Sequence, residues 1–559
     1  MKLALLSIIL LTRTAFAQCS VDPQQAASTE QLFSQQNWAE VARLAAHLPC
    51  RTADINFDYG LALAHLQQYP AARAALLAAH RQSPREERFL VELAGVAFEQ
   101  KQYPEAATWL RRALKLNPKD EYANNFAATV YFLMDNTNAA LKYWNRVQKP
   151  YIATLAFDPQ LRIRRLLLDR AFVFSPAAIL HRDDFAATQA RLNGLGIFPT
   201  YHINLSARPD GSFNAEFHAL ERNGFGSSRL QALVSTFGGV FYETVYPSYF
   251  NLGRSAINIE SLFRWDSQKL RARVAISGPL RNLPQHRWSL ATDERDENWT
   301  IRRSFTGTSP SLGSLEMERE AASGSITSFH SADLTWSLGA ELSHRSYRNV
   351  NYGSALTPNL ATSSFQLKQT ASMQDTLLDL PEHRFSLTAT ASSEFGRLWS
   401  NPPRLFEKLQ GSALAHWFPQ AQGDRYEAMQ QIRAGHTFGA APFDELFMLG
   451  VERDNDLWLR GHIGTRDRQK GSAPLGYSYF LSNSDFYHRI YTNGLFTLQA
   501  GPLLDIGRVS APTSGLSTRQ WLFDTGVEAK LSVLGTSVVI TYGRDLRTGT
   551  NAFYGTIAR

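Results

Sequence analysis

Leu334-Thr335-Trp336-Ser337-Leu338-Gly339-Ala340-Glu341-Leu342 sets an apolar residue at every second position, with small or polar residues between. A strand turns successive side chains to opposite faces, so this stretch has one apolar and one polar face. The device recurs. Ile257, Ile259, Phe263 and Trp265 alternate with Asn258, Glu260 and Arg264, while Leu270, Ala272, Val274 and Ile276 alternate with Lys269, Arg271 and Arg273. Such a chain can build a soluble sandwich, whose apolar faces meet each other, or a membrane barrel, whose apolar face meets lipid. The Lys/Arg-rich second face predicts the barrel, because charges lining a watery lumen stay solvated. Residues 225–559 have room for about 16 antiparallel strands of about 10 residues each.

Composition agrees with this reading. The chain carries 34 Phe, 20 Tyr and 11 Trp, mostly beyond residue 185, but no uninterrupted apolar run long enough for a helical span. Its net charge of +7 is spread along the length, with no basic block interleaved with aromatics, so nucleic acid is not an expected partner. Residues 1–17, with Lys2, the apolar run Leu3 to Leu11 and Ala15-Phe16-Ala17, read as a secretory signal peptide, giving a mature chain from Gln18. Cys19 and Cys50 are the two cysteines. In an oxidising compartment they can form one disulfide; no zinc spacing accompanies them, so neither a metal nor another cofactor is expected.

Residues 18–152 read as helical and repetitive. Gly60, Ala94 and Ala128 stand 34 residues apart, as do Tyr69 and Tyr103, and the period holds for Ala72, Ala106 and Ala140. This is the tetratricopeptide period, in which small residues let paired helices approach and aromatics fill the gaps between repeats. It predicts an α-solenoid with a concave surface for a peptide or protein. In residues 157–224, Leu161 to Leu168 reads as a strand, a helical stretch leads through Asp184, Thr188 and Leu192 to Gly196, and Tyr201 to Ala207 and Phe213 to Glu221 form a hairpin across Arg208-Pro209-Asp210-Gly211. This order resembles a POTRA (α/β) domain, which accepts client strands along a sheet edge. His181-Arg182-Asp183-Asp184 lacks the partners of a kinase catalytic loop, and its acids suit a helix start.

A second stretch bears on function. Pro442-Phe443-Asp444-Glu445-Leu446-Phe447-Met448-Leu449-Gly450 precedes Leu457-Trp458-Leu459-Arg460-Gly461-His462, and Gly501-Pro502-Leu503-Leu504-Asp505-Ile506-Gly507 follows. With the closing segments Asp524 to Glu528 and Tyr542 to Tyr554, this order resembles the BamA/TamA-type outer-membrane assembly superfamily, or bacterial surface antigen family. The resemblance implies that the first two of these segments are a strand and the inward loop after it, and that Arg460 and Gly461 latch the loop to Asp505 and Gly507; Asp485, Asp524 and Asp545 are the other acids available to Arg460. It also implies a poorly zipped seam near Gly238, Gly239 and Pro247, where glycine weakens a strand and proline removes a donor. Two departures stand out: His462 replaces the usual aromatic, and the chain ends Thr556-Ile557-Ala558-Arg559 without one.

The expected protein is therefore a multidomain α + β chain with a tetratricopeptide α-solenoid, one POTRA domain and a C-terminal transmembrane antiparallel β-barrel. Its implied place is the bacterial outer membrane, with the N-terminal domains in the periplasm. The implied partners are the lipid bilayer, client protein strands at the POTRA edge and barrel seam, and an unidentified peptide on the solenoid. No nucleophile elbow, phosphate loop or metal motif supports an enzyme. Protein insertion or export is the expected role, with a two-partner-secretion transporter and a tetratricopeptide-barrel polysaccharide exporter as alternatives.

Overall fold

The computed structural model describes residues 23–302, 310–329, 331–493, 496–510, 516, 520–533 and 536–558. The expected signal peptide and the Cys19 half of the disulfide lie outside them. The chain divides into two compact units, Met1–Val147 and Gln148–Arg559.

The first unit is a run of paired helices: Pro23–Ser34 with Trp38–His47, Ala53–His65 with Tyr69–Gln82, Glu87–Glu99 with Tyr103–Leu116, and Glu121–Leu133 with Thr137–Trp144. The 34-residue spacing has a backbone counterpart, since Gln67, Lys101 and Asp135 all turn between paired helices at positive φ. Ala72, Ala106, Ala94 and Ala128 are fully buried where helices meet. A Cβ on Gly60 would lie 2.7 Å from the Leu76 side chain, so glycine there permits close helix packing. Tyr69 and Tyr103 are half-buried at helix starts, and the Tyr103 ring lies 5.6 Å from that of Phe98.

The second unit begins with a four-stranded sheet in the order Ala178–Ile179, Tyr151–Phe157, Phe213–Leu220, Thr200–Ala207. Tyr151–Phe157 runs parallel to Phe213–Leu220, and the other pairings are antiparallel. Helices Arg165–Ala171 and Arg182–Leu195 complete the module around Phe172, Phe198 and Phe217. The hairpin lies where expected, but two corrections apply. The first strand is Tyr151–Phe157, so the module starts earlier than residue 157, and the Leu161–Leu168 stretch is a turn entering a helix. Leu167, Leu168 and Ala171 are the buried positions of helix Arg165–Ala171, a helical spacing that the scattered arginines imitate as alternation.

The strands that follow close into a barrel, apart from the short pair Phe447–Met448 and Leu475–Gly476. Among the described residues, fourteen long strands run from Ile257–Asp266 to Asn551–Ala558, each antiparallel to the next. Leu334, Trp336, Leu338 and Leu342 face outward, whereas Ser343 and Arg345 are buried inside, as the alternation predicts. Ahead of these strands lie the short pieces Thr244–Val245 and Ser248–Leu252, both paired to Ile257–Asp266 and separated at Pro247. The expected count of about 16 strands thus becomes fourteen long strands and one broken leading strand. Gly238 and Gly239 are in no strand: they follow helix Arg229–Phe237, and the place expected for strand backbone at the seam holds that helix. The sheet module docks on the barrel through Arg287, which donates to the carbonyls of Gly194 and Leu195 at 2.8 and 2.9 Å. A cation at these last carbonyls of helix Arg182–Leu195 complements its negative end.

Candidate functional site: an inward loop held by three ionic clusters

Residues 440–477 leave the barrel wall after strand Tyr426–Gly439 and return at strand Ser478–Thr492, two strands that pair directly with each other. The intervening chain folds inward. Its apolar residues make this possible: Phe447, Leu449, Leu457 and Leu459 form a buried cluster with Tyr479, Leu481, Val509 and Leu522 of the wall. Phe443, Leu446, Met448 and Leu475 join a second cluster with Trp299, Leu315, Met317 and Tyr347. A loop this apolar would be costly in water, and packing it on the wall removes that surface.

Charge then fixes the loop at three places. At its start, Asp444 lies 3.0 Å from Arg345 and accepts the Tyr347 hydroxyl at 2.8 Å, while Glu445 meets Lys368 at 3.2 Å and Lys408 at 3.5 Å. Burial alone would raise the Glu445 pKa, but Lys368, Lys408 and Arg345 outweigh it and hold the carboxyl well below its usual range. In the middle, Asp454 is shared by Arg271 at 2.6 Å, Arg264 at 2.7 Å and Lys470 at 2.8 Å, and Lys470 also reaches Glu297 at 2.6 Å. Burial again opposes ionisation, and Lys470, Arg271 and Arg264 again prevail at Asp454.

The third cluster is at the loop tip. Asp505, Asp524 and Asp545 sit opposite one another on three consecutive strands, making a row of acids across the wall. All three are buried, as is Arg460. Arg460 donates from Nη2 to Asp505 Oδ1 at 2.6 Å, from Nε to the same carboxylate at 3.0 Å, and from its backbone N–H at 2.9 Å. Its Nη1 also binds Asp485 and lies 3.5 Å from Glu528. The expected Arg460–Asp505 pair is present, and the alternative acid Asp485 shares the guanidinium instead of competing for it.

The next two residues take the rest of the row. Gly461 N–H donates to Asp524 at 2.6 Å, and His462 Nδ1 is 3.0 Å from the same oxygen, with Nε2 3.6 Å from Asp545. The departure His462 thereby gains a role that an aromatic could not fill, bridging two carboxylates. Burial lowers the imidazole pKa, but Asp524, Asp545 and Asp505 outweigh it and raise it above its ordinary value. A Cβ on Gly461 would fall 2.6 Å from Asp545 N, and one on Gly543 would fall 2.1 Å from Arg460 O. Glycine is needed there for close approach of two backbones. At Gly507 the neighbour is a side chain instead: a Cβ there would lie 2.8 Å from the tip of Leu459.

His462, Asp524 and Asp545 also place one donor atom each within 4.8 Å of one another. Because both ring nitrogens face carboxylates, an imidazolium between two acids accounts for the grouping. Between loop and wall remains a cavity of about 390 Å³, lined by charged residues including Asp293, Arg295, Arg319, Glu341 and Glu394. The resemblance carried by Leu457–His462 points to the third cluster, whereas no motif marks Asp444 and Glu445, Asp454 with Lys470, or Gly543. The signal available was a loop rich in acids facing strands rich in Lys and Arg, with nothing to assign the pairs.

No protein-family model and no curated protein matches the chain. Among solved structures, CdiB from Escherichia coli aligns at TM-score 0.50 and 13% identity over 73% of this chain and 76% of its own. Over that share the chain is similar to CdiB in fold. CdiB from Acinetobacter baumannii aligns at TM-score 0.44 and 10% identity, covering 73% of this chain and 74% of its own. BamA from Haemophilus ducreyi lacking POTRA domains 1–3 aligns at 0.41 and 10%, covering 73% and 84%.

Proposed function

We propose that this chain is an outer-membrane translocation factor, which inserts or exports client proteins through a barrel fed by a periplasmic POTRA-like module and a tetratricopeptide array. The observation that carries the reading is the loop tip: Arg460, Gly461 and His462 together occupy a buried acid row, so the lumen holds a folded-in loop that must remain or be displaced when a client passes. Support comes also from strand Thr200–Ala207, which among the described residues pairs only with Phe213–Leu220 and offers an edge to an extended client. The reading assigns no catalysis and no nucleotide: client folding supplies the work. The POTRA-like hairpin and the Arg460–Asp505 pair speak against a polysaccharide path.

Photocrosslinkers at Asn204, on the exposed edge, and at Tyr249, on the leading strand, test this in cells. Nascent barrel proteins captured at both positions support insertion, and one secreted protein supports dedicated export. Capture of glycan alone overturns the proposal.

A further inference from the structure

We infer that helix Arg229–Phe237 lies in the bilayer as the sixteenth stave of the barrel wall, with acyl chains against its outer face. This rests on the outer-membrane reading above. Counting the broken leading strand, the described wall has fifteen strands, each antiparallel to its neighbour. An odd number leaves the first and last strands running the same way, whereas a closed antiparallel wall requires an even number. Residues 223–242 supply the missing reversal. They start as an antiparallel bridge, Gly224 to Phe250 on the leading strand. They end where the Tyr242 hydroxyl donates to Gly555 O, on the last strand, at 2.7 Å. Between these points Tyr246 N–H donates to Thr236 O at 2.9 Å, tying the helix end to the same seam.

The helix is apolar on its outside. Leu230, Leu233, Val234 and Phe237 form an i, i+3, i+4, i+7 stripe, 60%, 57%, 42% and 53% exposed, while Gln231 is buried and held by Ser227 and Ser228. That is the reverse of a helix packed in water, whose apolar stripe turns inward. The stripe continues the outward apolar belt of the nearby strands, Phe263 and Trp265 on one side and Ile540 and Phe553 on the other. Phe241, just beyond, is 96% exposed. A helix satisfies its own backbone in hydrocarbon, whereas a strand with one unpaired side would leave donors and acceptors facing lipid. Nine residues at 1.5 Å each reach roughly 14 Å, so the rest of the stave is the bridge before the helix and the turn after it.

The test is lipid photocrosslinking on the full chain reconstituted in phosphatidylethanolamine/phosphatidylglycerol vesicles containing a phospholipid with an alkyne-tagged acyl chain. Benzoylphenylalanine is placed singly at Leu233, Phe237, Gln231 and the wall residue Leu338, and read only on protein that keeps heat-modifiable migration; Phe241 is a further site should one of these fail to fold. The inference predicts lipid adducts at Leu233 and Phe237 in yields comparable with Leu338, and about tenfold less at the protein-facing Gln231. Adducts at Leu338 without any at Leu233, Phe237 or Phe241, or adducts there to a second copy of the chain, overturn the inference and leave the outer-membrane reading standing. No adduct at Leu338 overturns that reading, and the inference with it.

Discussion

Arg460 and Asp505, 45 residues apart in the chain, are joined by the backbone N–H, Nε and Nη2 of one residue on the carboxylate of the other. Neither partner is more than marginally exposed, so the pair is a dehydrated, multidentate contact, the strong form of an ion pair. Asn483 adds a bond to Asp505 at 2.7 Å and another to Trp458 O at 2.9 Å, fixing the backbone that presents the arginine.

Replacing Arg460 with alanine leaves Asp505, Asp485 and Glu528 buried around a missing cation, and the expected cost is about 3 to 5 kcal/mol. Lysine keeps the charge but loses the fork, so R460K is expected to fall between the two. Exchanging Arg460 and Asp505 is not expected to restore stability, since an acid at 460 would face Asp485 and Glu528. Urea unfolding in detergent, with a probe for the loop, measures all three.

His462 predicts a pH dependence with a defined sign. Its folded pKa is raised, so its contribution is complete below the ordinary imidazole value of about 6.5 and is lost as pH climbs through the higher folded value. Loop protection should therefore weaken from neutral toward alkaline pH, and H462Q should flatten that part of the profile. Hydrogen exchange of the loop amides at several pH values reads the effect.

Gly461 and Gly543 make the same backbone contact from opposite sides. Alanine at either is expected to cost about 1 to 3 kcal/mol, by overpacking against the facing main chain. Because each change already displaces that one contact, the double variant should cost less than the sum. A double-mutant cycle by urea midpoint decides it.

Much of this was written in the local sequence. Alternation at Leu334 to Leu342 gave the wall and its two faces, and the 34-residue spacing gave the helix pairs, whereas the clasp followed only from the resemblance carried by Leu457 to His462 and the segment around Asp505. What failed did so for physical reasons. Arg162, Arg164 and Arg165 gave Leu161 to Leu168 a false strand period, although burial of Leu167, Leu168 and Ala171 follows a helix. Gly238 and Gly239 suggest a weakly zipped strand because nothing local distinguishes that from the end of a helix with an apolar outer face. The pairs Asp454–Arg264 and Asp444–Arg345 join residues far apart in sequence, and only the barrel's closure brings them together.

The most direct test of the account is the conductance of the full chain in planar bilayers, because it asks whether the inward loop occupies the lumen. Asp454 holds the loop's middle to Arg264 and Arg271 of the wall, and Arg460 holds its tip. The account predicts small steps for the intact protein and large, frequent openings for the D454A/R460A variant. Large steps in the intact protein, unchanged by the double substitution, would contradict it.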